Sequence, residues 1–190
     1  SDTAGVLRGH REAVAPLAYI RPTRPTEPDR ALAELSRAAL AGREDAPALE
    51  RAHALAAAVA DAIAYRPGET HAHTTAAEAL AQGAGVCQDH AQALIAAAQI
   101  AGIPARYVTG YLHATADGAP HEASHAWAEL HLAGLGWVGF DPANRCCPDA
   151  HYIRVGSGRD AADAAPIRGV VRGGAEEALE VKVSVDAAQQ

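Results

Sequence analysis

A change of texture at Gly102-Ile103-Pro104 constrains this chain more than any other feature. Upstream, the sequence is alanine-rich and divided into helix-length runs. From Asp29, a residue able to cap, "ALAELSRAAL" predicts a short helix that Gly42 stops. "PALERAHALAAAVADAIAY" places Pro47 in a first-turn position and Leu55, Val59 and Ile63 at fourfold spacing. "TTAAEALAQG" predicts a further short helix ending near Gly83. The central helix begins at or near Cys87 and runs to about Ala101, carrying Leu94, Ile95 and Ile100, before Gly102 and Pro104 end it. Downstream, "ARYVTGYL", "SHAWAELHL", "GWVGFDP" and "HYIRV" are short, β-branched or aromatic, and separated by Gly, Pro or Asp turns, so they predict antiparallel strands. In "LEVKVSVD", Leu179, Val181, Val183 and Val185 alternate with polar residues, as in a half-buried strand. Helices first and a meander afterwards predict an α+β protein, with N-terminal helices and a central helix packed on an antiparallel sheet.

A chain of 190 residues suits one domain with an appendage. Pro16, Pro22, Pro25 and Pro28 forbid a continuous helix, so residues 1–45 are expected to form an N-terminal strap or linker with a short helix, the remnant of an upstream domain. Residues 46–190 form the main domain. The chain starts at Ser1 without a methionine, and the natural protein is expected to extend upstream. A formal charge of -7 argues against nucleic acid and anionic lipid, leaving a peptide, protein or small-molecule substrate. The three cysteines, two of them the adjacent Cys146 and Cys147, make neither a disulfide framework nor a C-x-x-C pair, so a reducing, cytoplasmic setting is expected. No apolar run approaches the roughly 18 residues of a membrane span, and no membrane insertion is expected.

The segment "HEASHAWAELH" reads in two ways. His121, Glu122 and His125 spell H-E-x-x-H, and His131 falls near the third ligand of the longer zinc-protease motif. That motif requires a helix, where residues four apart lie about 6 Å apart along the axis; a strand separates them by roughly 13 Å. Ala128 stands where the longer motif needs glycine, and the chain has no methionine for the associated turn. Gly118 and Pro120 suit a loop feeding a strand, with His125 and Trp127 on one face. The zinc reading is therefore the lesser one, and no metal is assigned.

Cys87 also has two readings. A free cysteine in an apolar run is ordinarily a packing residue. At a helix N-terminus, however, unpaired N–H groups and the positive end of the macrodipole favour the thiolate. The preceding Gly83 and Gly85 allow close backbone approach, and the N–H of Cys87 is a natural oxyanion donor. A nucleophilic thiol needs a base, and the base needs an orienting group. If "SHAWAEL" and "GWVGFDP" pair as a hairpin around "HLAGLG", the start of the first strand lies beside the end of the second, which brings His125 next to Asp141. Taken singly, Asp141 before Pro142 is a common turn starter and a histidine in a hairpin is ordinarily structural.

"GAGVCQDHAQALIAAAQIAGIPARYVTGYL", then "SHAWAEL", then "GWVGFDPAN", resembles the transglutaminase-like superfamily, and within it a microbial branch of cysteine-peptidase-like proteins. The resemblance runs from about Pro47 to Val185. It implies a core similar to the papain-like proteases, a transglutaminase-like catalytic domain over 46–190, and the roles of nucleophile for Cys87, general base and acid for His125, and orienter for Asp141. Gln82, upstream of the thiol, is a candidate oxyanion side chain. Asp89 and Trp127, inside the motif blocks, are near-site candidates, and the family-like "GSGRDAADAAPIRG" brings Arg159 and Asp160 toward the site. His90, Gln92 and Gln99 depart from the residues common in this branch. The implied activity is acyl transfer on amide bonds of peptides or proteins through a thioester, hydrolysis before crosslinking, with no cofactor. The alternative from another class is a non-catalytic interaction domain on the same fold.

Overall fold

The computed structural model describes residues 5–7, 13–112 and 124–167. The strand expected over 179–186, like His121 and Glu122, lies outside these residues.

Helix starts follow local capping chemistry. Asp29 accepts the Leu32 N–H at 2.8 Å and opens α1, Arg30–Leu40. Pro47 precedes α2, Ala48–Ala62, whose Ala52, Leu55 and Val59 are fully buried and whose inward stripe is completed by Ile63 just beyond the end. In α3, Ala76–Gln82, Thr75 and Glu78 exchange backbone and side-chain hydrogen bonds, and Gly83 ends the helix in the left-handed conformation at φ 64°. Ala64–Tyr65 (β1) and Ala84–Gly85 (β2) then pair in parallel, an element that two-residue strands give no period to predict.

The central helix α4 spans Cys87–Ile100, and every residue from Asp89 to Ala98 is buried. Its alanines are what make this feasible, because a helix enclosed by α1, α2, α3 and a sheet has little room for side chains. The Ser36 hydroxyl donates to the Ala97 carbonyl at 2.9 Å and so meets the polar need of that contact.

Four antiparallel strands form the sheet: β3, Ala105–Leu112; β4, Ser124–Leu132; β5, Gly136–Phe140; and β6, Tyr152–Gly158. Their order is β5-β4-β3-β6. Ala126, Ala128, Leu130 and Leu132 of β4 alternate into the core beneath α4. The outer edge of β5 is partly taken by the chain itself, through Leu7 N–H to the Trp137 carbonyl and Gly139 N–H to the Gly5 carbonyl, both 2.9 Å. The proline-rich stretch folds as two 3-10 turns, Pro16–Ile20 and Arg24–Thr26, with Tyr19 set edge-on against Trp137.

The far face of the sheet holds a buried charge cluster. Glu129 accepts from Arg106 Nε at 2.6 Å and Arg154 Nε at 3.0 Å, and the Arg106 guanidinium stacks 4.0 Å from the Trp137 ring. The Arg106 side chain is only 1% exposed, so removing Glu129 takes a buried carboxylate away from a buried guanidinium. Glu129→Ala is expected to cost about 3–5 kcal/mol, read as a lower denaturant midpoint in equilibrium unfolding.

Candidate active site

Cys87 is the first residue of α4, half-buried against the core, and β2 leads directly into it. First-turn N–H groups of a helix lack intrahelical acceptors. Those of Cys87 and Gln88 have no acceptor among the described residues, whereas the Val86 N–H is taken by the Asp89 carboxylate.

His125 is the second residue of β4, and Asp141 follows the last residue of β5. The hairpin register, with Ala128 opposite Phe140, sets these two strand ends side by side. His125 Nε2 lies 2.6 Å from Asp141 Oδ2, and the same ring feels the Cys87 thiol. With Nε2 committed to the carboxylate, Nδ1 is the nitrogen left to face the thiol.

Burial works against a charge on His125. The hydrogen bond to Asp141, then the hydrogen bond to Cys87 and the charges of both, outweigh it and push its pKa from an ordinary 6.5 up to about 9. A folded-state value above the unfolded one means that the pair's stabilisation is complete below about pH 6.5 and is lost as pH rises through about 9. Burial likewise works to raise Asp141, but bonds from His125, Tyr152 and the Asn144 N–H hold its carboxyl below the usual range.

The carboxylate is more heavily supported than the motifs suggest. Besides His125, Asp141 Oδ2 accepts from Tyr152 Oη at 2.7 Å and Asn144 Nδ2 at 2.8 Å, while Oδ1 accepts the Asn144 N–H at 3.2 Å. Tyr152 also stands edge-on to the rings of His125 and Trp127, at 5.8 and 5.4 Å. The loop carrying Asn144 is anchored by Arg145, which bonds Asp61 at 2.7 Å and the Ala60 carbonyl at 2.8 Å. Asn144 stands in the quoted "DPAN" and Tyr152 in a strand motif, but neither position carried a chemical signal of its own.

The remaining candidates divide. Trp127 lies nearly parallel to His125, ring centres 6.4 Å apart. Asp89 is buried in the first turn of α4. Asp160 opens α5, Ala161–Ala164, by accepting the Asp163 N–H, and its charge reaches Tyr107, which also feels Cys87 and Asp89. Arg159 pairs with Asp163 at 3.3 Å and borders a groove with Leu17, Tyr19 and Arg21, on the side of the 3-10 turns. Gln82 ends α3 with an exposed side chain and no hydrogen bond to a site residue among those described. Two of the three departures have structural partners: His90 bridges the carbonyls of Val86 and Ile63 at 2.9 and 2.8 Å, and Gln99 donates to the Tyr19 carbonyl, whereas Gln92 is buried with its Oε1 unbonded among the described residues.

Among the described residues the zinc motif's His125 and His131 do not come together; His121 and Glu122 lie outside those residues. His125 and His131 sit on one extended strand, which separates them by roughly 20 Å. The first faces Asp141 and the second lies against Trp137.

Known proteins resemble this chain in sequence and in fold. The family model described as "Transglutaminase-like superfamily" matches residues 35–142. An uncharacterized protein of Mycobacterium leprae is 34% identical over 125 residues, covering 64% of this chain and 44% of its own length. An uncharacterized protein of Mycobacterium tuberculosis is 37% identical over 151 residues, covering 74% and 47%. The chain thus spans a little under half the length of these curated relatives. A solved structure described as a "Putative Cysteine Protease from Cytophaga hutchinsonii" superposes with a TM-score of 0.66 at 27% identity, covering 85% of this chain and 53% of that one.

Proposed function

The chain belongs to the transglutaminase-like superfamily, and from that premise we propose that it is a thiol enzyme that transfers the acyl group of a peptide or protein amide, to water before amines. The observation that carries this reading is the single imidazole held between the Asp141 carboxylate at 2.6 Å and the Cys87 thiol at a helix start.

In the proposed reaction the thiol proton already rests on His125 Nδ1 as an ion pair, and Cys87 Sγ attacks the amide carbonyl as the thiolate. The tetrahedral oxyanion is met by the free first-turn N–H of Cys87. As the C–N bond breaks, the imidazolium returns the proton to the departing amine or ammonia, leaving a thioester on Cys87. Water, deprotonated by the same ring, adds to the thioester and releases the acid. Asp141 holds the ring through Nε2 and balances its positive charge. Tyr65, 56% exposed, flanks the thiol, so water has a path to the thioester, which favours hydrolysis. The description of the Cytophaga hutchinsonii relative points the same way.

A mass-spectrometric screen of a glutamine-containing peptide library, with and without a primary amine, tests the reading. The expected products are cleaved or deamidated peptides whose yield the amine leaves unchanged. Amine-bearing products would shift the assignment to transamidation, and no acyl adduct on Cys87 with any peptide would overturn it. Activity is expected to fall on the alkaline side with a midpoint near pH 9, where His125 loses its proton. A flat profile through that range would remove the imidazolium from the reaction.

A further inference from the structure

Asp89 is fully buried two residues after Cys87, and its carboxylate ties together three pieces of chain. Oδ2 accepts the Val86 N–H at 2.7 Å and the Thr70 hydroxyl at 2.6 Å, while Oδ1 is buried with no hydrogen-bond partner among the described residues. On the other side of the thiol-bearing turn, a Cβ at Gly85 would stand 2.7 Å from both Asp89 Cβ and Oδ2, so the carboxylate occupies the space that a side chain there would need. Gln88 adds a second tie to the same loop as Thr70, through Nε2 to the Ala72 carbonyl at 3.1 Å. Both residues that follow the nucleophile are thus stapled to the segment joining β1 to α3.

Helix capping alone does not account for this arrangement. An exposed Asp, Ser or Asn satisfies a first-turn N–H without burying a carboxyl group that leaves one oxygen unbonded. An ionised carboxylate two residues from a thiol opposes formation of the thiolate. We propose that Asp89 is a positioning residue: by clamping Val86 in its extended conformation (φ -113°, ψ -175°) against Thr70, it sets the direction of Cys87 Sγ and of the Cys87 N–H toward the acyl carbon. The assignment deepens the acyl-transfer reading and rests on it for its consequence in turnover.

The ionisable groups ranged around the thiol are His125 of β4, Asp141 after β5, Tyr65 of β1, Tyr107 of β3 and Asp89 itself, with Asp160 beyond Tyr107. Asp89 is therefore a carboxylate beside the thiol that, unlike Asp141, is not hydrogen-bonded to the imidazole. Two variants separate its geometry from its charge. Thr70→Val keeps the charge and breaks the clamp; Asp89→Asn keeps the shape, removes the charge and leaves one oxygen to accept.

Thr70→Val is expected to lower kcat by on the order of 10-fold to 100-fold with KM within about twofold, since misplacement of a reacting group by about 1 Å has such an effect. Its pH profile should not move. Asp89→Asn is expected to shift the acid limb of Cys87 alkylation by iodoacetamide to lower pH, with a smaller fall in kcat than Asp89→Ala. Thr70→Val and Asp89→Asn proteins that fold and keep both wild-type kcat and the wild-type alkylation profile would overturn the proposal and make Asp89 a plain helix cap. Alkylation needs no substrate, so it decides the matter even if no peptide is turned over and the acyl-transfer reading fails. In that case Asp89→Asn must still move the acid limb and Thr70→Val must still slow the plateau rate of alkylation, or Asp89 has no positioning role.

Discussion

Cys87→Ala is expected to yield a folded protein that forms no acyl adduct and whose turnover is lower by roughly 10⁵-fold or more, as when a covalent nucleophile is removed elsewhere. The fold should tolerate the change. Cys87 is half-buried at the margin of the core, alanine is the best helix former, and the N–H donor at the start of α4 is unchanged. Loss of one sulfur's packing costs about 1 kcal/mol, a small shift in a thermal melt. Intact-mass analysis after incubation with peptide, beside a melting curve, checks both halves. Turnover surviving in the alanine variant would assign the chemistry to another group, with the exposed Cys146 the first to examine.

Asp141→Asn is expected to fold and to lower kcat by on the order of 10³-fold to 10⁴-fold. The reason lies in the donor count at Oδ2. Three donors converge on that atom, from His125, Asn144 and Tyr152. An amide either turns its NH2 toward them, setting donor against donor, or keeps its oxygen there without the charge that favours imidazolium. In both cases His125 loses the largest influence raising it, and its pKa falls from about 9 toward 6.5. The alkaline limb of activity should move down with it. The stabilisation that the charged pair gives below pH 6.5 should shrink too, so the variant's melting temperature deficit is largest at acidic pH and fades above pH 9. A variant with wild-type kcat and an unmoved alkaline limb would remove Asp141 from the orienting role.

The support beneath Asp141 shows why part of the site was not readable. His125 and Asp141 flank a single hairpin, so their meeting follows from a short turn and a register that two alternating patterns impose. Asn144 and Tyr152 reach the same carboxylate by different routes. Asn144 depends on a loop held to α2 by Arg145, a non-glycine residue at φ 54°, and Tyr152 depends on β6 crossing to pair with β3 rather than with its sequence neighbour β5. No periodicity reports which edge a last strand will choose. The parallel pair β1–β2 escaped for a simpler reason, being two residues long in each strand. Asp89 read as a polar residue beside a motif, and only its full burial and its bond to Thr70, nineteen positions away, give it a role to test.

Local chemistry determined the element boundaries. Asp29 and Thr75 with Glu78 supply hydrogen-bond acceptors for orphan helix N–H groups, Gly83 takes a left-handed turn, and Gly102 with Pro104 cannot continue α4. The order of helices before strands set the α+β class, and the family follows from motif blocks that are contiguous in the chain. Tertiary structure alone decided how far α4 is enclosed, which edge β6 occupies, and that a thiol at position 87 meets an imidazole 38 residues later. Those contacts depend on packing helices against a sheet, where distance along the chain carries no information about distance in space.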